Sequence, residues 1–146
     1  MKPQELYEIM SKIPLFKGFN IEEIENILKK LNFQIKNYKK GETVFFRGDS
    51  LEQIIIILSG TSKGEMQKFN GDTITIDYIT PYQLIAPAFI FGSNRTFPVD
   101  LIATENSKFV FLNKVSIVSS LKQSFILFSL SFLNIFGYLF NNSSTF

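Results

Sequence analysis

Lys40-Gly41-Glu42-Thr43-Val44-Phe45-Phe46-Arg47-Gly48-Asp49-Ser50 reads as a short strand, Thr43 to Phe46, held between two turns that each contain a glycine. The run that follows, Gln53 to Leu58, is almost wholly aliphatic, the pattern of a strand covered on both faces. Gly60 ends it. Short apolar runs separated by turn residues at a spacing of roughly ten extend from Phe33 to Leu112 without helical periodicity, as in an antiparallel sandwich or barrel.

Within this region Phe69-Asn70-Gly71-Asp72 is a hairpin signal, because a type I′ turn needs positive φ at both central residues and Asn-Gly tolerates it best. The strand after it alternates. Ile74, Ile76 and Tyr78 fall on one face, expected toward the core, and Thr73, Thr75 and Asp77 on the other, expected toward water. Phe109 to Leu112 completes the set of strands.

Two helices precede the strands. Pro3 to Lys12 forms a short one, broken by Pro14, after which Leu15, Phe16 and Phe19 supply apolar anchors. The second is marked twice at its start. Asn20 caps it with Glu23 in the capping-box position, and Phe19 and Ile24 form a hydrophobic staple. Ile21, Ile24, Ile27, Leu28 and Leu31 make its apolar face, with Glu22, Glu23 and Glu25 near the positive end of the helix and Lys29 and Lys30 near the negative end.

The chain has 146 residues, 45% of them hydrophobic, enough for one domain to bury a core without disulfide staples. Seventeen Phe and no Trp, with many Ile, suit pleated, half-buried surfaces. With no Cys and no His there are no thiolate nucleophiles, no imidazole proton shuttle and no usual ligands for a metal, a haem or an iron–sulfur cluster. The net charge of +2 is spread thinly, so strong phosphate-driven binding of nucleic acid is not expected. Lys36, Lys39 and Lys40 read as a solvated strand end. Met1 to Lys12 is not an apolar leader, which points to a cytoplasmic protein.

From Val115 onward the pattern is helical again, and Gln123 to Phe146 holds no charged residue. Phe125, Phe128, Phe132, Ile135 and Leu139 follow the 3-4 spacing of a coiled-coil seam that two parallel copies would bury between them, so a homodimer is expected. A membrane span is the rival reading. Phe125 to Phe140 is only 16 residues long, short of the about 20 a span needs, and contains Ser and Asn. The chain is thus divided into residues 1–113, helices and strands, and residues 114–146, a dimerisation helix with a frayed tail.

Pro14-Leu15-Phe16-Lys17-Gly18-Phe19, a capped helix, the Lys40 to Asp49 run, Ile54 to Leu58 with Ser59-Gly60, and Gly71 in a hairpin stand in an order that resembles the cyclic-nucleotide-binding domain of Crp/Fnr-type transcription regulators. The resemblance covers residues 14 to 135. It implies a mainly β fold with flanking helices, a double-stranded β-helix (jelly-roll or β-roll), and a C-terminal dimerisation helix.

In nucleotide-binding members of that family a cassette between two strands carries a Gly-Glu pair near its start and Arg-Ser/Thr-Ala near its end. The glutamate accepts from the ribose hydroxyl, the arginine pairs with the cyclic phosphate, and backbone N–H groups complete an anion cradle. Here the matching stretch runs from Leu84 to Asp100 and lacks the Gly-Glu pair. With Ala103 matched to the alanine after the cassette, Phe97 and Pro98 stand where the arginine and its hydroxyl neighbour would be, and Arg95-Thr96 falls two residues early. The candidate pocket is therefore Ile85, Ala86, Pro87, Ala88, Phe89, Asn94, Arg95, Thr96, Phe97, Pro98 and Val99. These residues favour a pocket filled by its own side chains or open to a less polar effector. A cyclic nucleotide is disfavoured.

The resemblance implies an effector-sensing and dimerisation domain whose small-molecule effector is unknown. DNA would be reached only through a helix-turn-helix domain, for which the six residues after Phe140 leave no room. The alternatives are a free-standing cyclic-nucleotide-binding protein and a ligand-free pseudo-sensor that acts by interaction. A cupin-like enzyme shares the β rhythm but needs imidazole ligands, and Glu42, Asp49, Glu65, Asp72 and Asp77 show no carboxylate spacing that would replace them. No catalytic residue is assigned.

Overall fold

A computed structural model of the chain describes residues 1–85, 96–113 and 115–116. Two helices, α1 (Pro3–Ser11) and α2 (Ile21–Lys30), flank a 3-10 turn at Pro14–Phe16. Among the described residues seven strands follow: β1 (Phe33–Tyr38), β2 (Thr43–Phe45), β3 (Gln53–Ser59), β4 (Ser62–Gln67), β5 (Thr73–Ile79), β6 (Asp100–Ala103) and β7 (Ser107–Asn113).

The start of α2 is specified by its own side chains. The Glu23 amide donates to Asn20 Oδ1 at 2.8 Å, and the Asn20 amide donates to Glu23 Oε2 at 2.9 Å, so two otherwise orphaned N–H groups are satisfied. Ile24, Ile27 and Leu28 are buried, and Leu31 beyond the helix is buried with them. Ile21 departs from the expected face and is 38% exposed. It opens the helix, with no preceding turn to carry it inward.

The strands form two antiparallel sheets, β1-β7-β3 and β2-β6-β4-β5. Their inner faces meet. Phe45 of β2 lies 5.8 Å, centroid to centroid, from Phe111 of β7, and residues of both sheets and both helices belong to one core cluster. Ile54 to Leu58 are each no more than 3% exposed, as their aliphatic run requires. This is the mainly β roll with flanking helices that the family resemblance implies.

Two local expectations need correction. The hairpin between β4 and β5 is present, but its turn is not type I′, because Gly71 has φ +91° while Asn70 is not in the positive-φ region. The Gly71 amide donates to the Lys68 carbonyl at 3.0 Å and the Lys68 amide to the Asp72 carbonyl at 2.7 Å. Three residues, Phe69, Asn70 and Gly71, thus span the gap, as in a type I turn completed by a left-handed glycine. The Asn70 side chain fixes this form by accepting from the Asp72 amide at 3.1 Å and donating to Asp72 Oδ2 at 2.9 Å.

The alternation along β5 also does not hold. Ile76 is 43% exposed, Tyr78 is 60% exposed, and Ile79 is the buried residue. The cause is a bulge: Gly64 pairs with Asp77 and Glu65 with Thr75, leaving Ile76 without an opposite partner. One extra residue reverses the faces, so Ile74, Asp77 and Ile79 share the side of buried Ser62 and Gly64, while Tyr78 turns outward.

Candidate ligand cassette

The chain between β5 and β6 is pinned at both ends. At its entrance the Tyr82 amide donates to the Ile57 carbonyl at 2.8 Å and the Ile85 amide to the Ile55 carbonyl at 2.9 Å, so residues 82–85 extend the sheet alongside β3. Leu84 bridges Ile56, and Leu84 and Ile85 are buried. Tyr82 has φ +73°, a left-handed conformation uncommon outside glycine. Pro81 at the first central turn position and positive φ at the second match a type II turn. Proline signals the turn in the sequence, but tyrosine gives no cue to its handedness.

At the exit, the turn after β2 is bonded to Phe97 and Asp100. The Gly48 amide donates to the Phe97 carbonyl and the Phe97 amide to the Asp49 carbonyl, both at 2.8 Å. The Arg47 amide donates to Asp100 Oδ1 at 2.7 Å, and Asp49 Oδ2 accepts from the Phe46 amide at 2.9 Å. Arg47 to Asp49, legible in the sequence only as a turn, therefore holds the cassette exit at Phe97 and Asp100.

Phe97 and Val99 point inward, 1% and 2% exposed. The Phe97 ring stacks on Phe45, with centroids 4.7 Å apart and planes 6° from parallel. Pro98 is half-buried and Thr96 exposed, and Thr96 bridges Ser50. Ile85, Phe97 and Val99 thus join the core, whereas Thr96 stays at the surface. Ala86, Pro87, Ala88, Phe89, Asn94 and Arg95 lie outside the described residues, as do Phe125, Phe128, Phe132, Ile135 and Leu139 of the expected seam.

Among the described residues no Lys or Arg is buried, and the buried polar residues are Ser62 and Ser107. Ser62 Oγ is enclosed without a hydrogen-bond partner on the inner face of β4, opposite Ala103. A cleft of about 280 Å³ borders Phe45, Ser50, Leu51 and Ile55. A second cleft, of about 420 Å³, is lined by Tyr38, Lys39, Glu42, Ser59 and Lys108, none of them cassette residues. Burial there pushes the Tyr38 hydroxyl above its ordinary value, and the Glu42 carboxylate adds to the shift. Among the described residues no group of three or more Asp or Glu could hold a metal ion, and no helix is long and apolar enough to cross a membrane.

The family model of the cyclic nucleotide-binding domain matches residues 35–124. The chain belongs to that family. A transcriptional regulator from Thermotoga maritima is 32% identical, with 82% of this chain and 92% of that chain covered at a TM-score of 0.66. The sensor domain of the transcriptional regulator DNR from Pseudomonas aeruginosa is 16% identical, covers 100% of this chain and 97% of its own, and has a TM-score of 0.75. The catabolite activator protein of Thermus thermophilus, 18% identical at a TM-score of 0.69, covers 89% of this chain and 59% of its own. The last two establish likeness of fold alone. No curated protein matches the sequence. This member of the cyclic nucleotide-binding domain family thus stands beside Crp/Fnr-type transcriptional regulators, as its glycine turns and capped helix imply.

Proposed function

We propose that the chain is the effector-sensing and dimerisation domain of a Crp/Fnr-like transcription regulator, with a cassette that does not hold a cyclic phosphate. The observation that supports this reading is Phe97, 1% exposed and stacked on Phe45, because the sequence register matches this position to the family's phosphate arginine. A benzyl side chain offers no charge-assisted hydrogen bond to a phosphate. The effector is accordingly less polar than a cyclic nucleotide. The domain acts by binding rather than turnover, in line with a chain that has no Cys and no His, and DNA is contacted by a domain other than this one.

Residues 1–113 form the sensing unit and residues 114–146 the dimerisation segment. The seam Phe125, Phe128, Phe132, Ile135 and Leu139 supports the second assignment through its 3-4 spacing. A sensor of this kind transmits ligand binding only as far as the ligand prefers one arrangement of the pair over the other.

The test is thermal melting of the purified chain with millimolar cyclic AMP or cyclic GMP. A ligand present at a hundred times its Kd stabilises by about 2.7 kcal/mol, a shift of several degrees for a domain of this size. No shift is expected. A nucleotide-dependent rise would return the cassette to ordinary phosphate binding, most directly through Arg95.

A further inference from the structure

The β4–β5 hairpin borders a groove whose lining lies outside the candidate cassette. Phe69, the first residue of its three-residue turn, has a relative exposure of 113%, and Phe46, next to Arg47 in the chain, is 61% exposed. A fully solvated phenylalanine at a fixed turn, as Phe69 is, is the informative exception to ordinary surface composition. Beneath Phe69 lies a groove of about 750 Å³, with Met66 and Ile74 half-buried along it and Arg47 and Lys68 at its border.

Among the described residues neither cation has an ion-pair partner. The ion pairs there are Glu25–Lys29 and Lys63–Glu65, and neither Arg47 nor Lys68 belongs to one. The shortfall extends to the rest of the sequence, because all 13 Asp and Glu lie at or before Glu105 and residues 106–146 bring no acidic side chain. The uncharged stretch Gln123 to Phe146 offers no side chain that would pair with the two cations.

An exposed aromatic, a methionine and an arginine around one groove are the residue types enriched at the centre of protein interfaces. We infer that this groove docks an acidic, amphipathic segment of another protein, apolar side chains against Met66, Phe69 and Ile74 and carboxylates toward Arg47 and Lys68. A membrane surface fits less well. Stable attachment to anionic lipid draws on a broad apolar face and a cluster of four or more cations, whereas two cations flank this concave site.

Fluorescence anisotropy of the full chain with a labelled helical peptide of about sixteen residues, leucines on one face and glutamates on the other, tests this. Binding is expected to weaken at least tenfold with Phe69→Ser and again with Arg47→Gln plus Lys68→Gln. A peptide with glutamine for glutamate is expected to bind at least fivefold more weakly, and the advantage of the acidic peptide should shrink with added salt. The substituted side chains face water, so the variants should melt with the parent chain. The inference is overturned by absence of binding, or by affinities that ignore these substitutions. It is equally overturned by Phe69-dependent attachment to phosphatidylglycerol vesicles in place of the peptide, or by Phe69-dependent self-association in sedimentation, which would give the groove to a second copy.

Discussion

Phe45 and Phe97 lie face to face, centroids 4.7 Å apart and planes 6° from parallel, although one belongs to β2 and the other to the cassette exit. Phe45 also meets Phe111 of β7 at 5.8 Å, so three rings join the cassette to both sheets. Aromatic contacts of this kind add about 0.5–1.5 kcal/mol beyond the area they bury. The cassette exit at Phe97 is therefore held by the core as well as by the Arg47 to Asp49 turn.

Replacing Phe97 by Ala should cost about 3–5 kcal/mol, the range for emptying a fully buried phenylalanine site. The measurement is the urea midpoint at unchanged slope. Phe97→Leu, which keeps most of the volume, should lose much less. A loss under about 1 kcal/mol for the alanine variant would mean that the ring is not packed in the core.

Gly60→Ala should be more damaging than Gly71→Ala, although both glycines have positive φ, +78° and +91°. At Gly71 an added Cβ meets nothing within 4 Å, which leaves only the left-handed strain of about 1–2 kcal/mol. At Gly60 the same Cβ would collide with the Asn106 carbonyl and Ser107 Oγ and come within 2.8 Å of Ser107 Cα. Ser107 cannot yield easily, because its hydroxyl lies within bonding distance of the Thr61 and Glu105 carbonyls. Equal losses at the two sites would contradict the close approach.

The contrast between those glycines shows where sequence reading works and where it stops. The start of α2 and the burial of β3 are legible because each depends on residues close in sequence: Asn20 with Glu23, or an unbroken aliphatic run. The phase of β5 is not, because it is set by an extra residue at Ile76 opposite Gly64 and Glu65, and pairing with another strand leaves no mark in the alternation itself. The hairpin signal at Asn70-Gly71 is correct, yet the turn type depends on side-chain bonds to Asp72. At the cassette, Phe97 could be matched by position to a missing arginine, but its partner Phe45 lies 52 residues away and only the fold brings them together.

Asn20→Ala should destabilise by about 1 kcal/mol, since the Glu23 amide then loses its acceptor at the end of the helix. Asn20→Asp should retain most of that stability, because a carboxylate accepts the same bond and suits the positive helix terminus. Thermal melting of both variants decides the matter. Identical melting of Asn20→Ala and the parent would show that the box is not engaged in solution.

The proposed dimer seam makes a separate prediction. Phe132→Glu places a charge at the centre of the stripe, where two copies would bring like charges together in an apolar contact. Sedimentation velocity should then move from dimer to monomer while the melting of the sensing unit is retained. A dimer that persists unchanged would remove the seam from the proposal.

Tyr38 gives the fold a dependence on alkaline pH whose direction follows from its surroundings. The ring sits edge-on to Phe109, centroids 5.5 Å apart, and is half-buried beside Glu42. Burial first, and the Glu42 carboxylate second, raise its pKa above the ordinary 10.0, so the folded chain holds the phenolic proton more tightly than the unfolded chain. Its contribution to stability is therefore complete below pH 10.0 and is lost as pH rises through the higher folded value. Urea midpoints from about pH 9 to about pH 11.5 should fall more steeply for the parent than for Tyr38→Phe, whose ring packs alike but does not ionise. Parallel curves would mean that the Tyr38 hydroxyl is as well solvated in the folded chain as in the unfolded one.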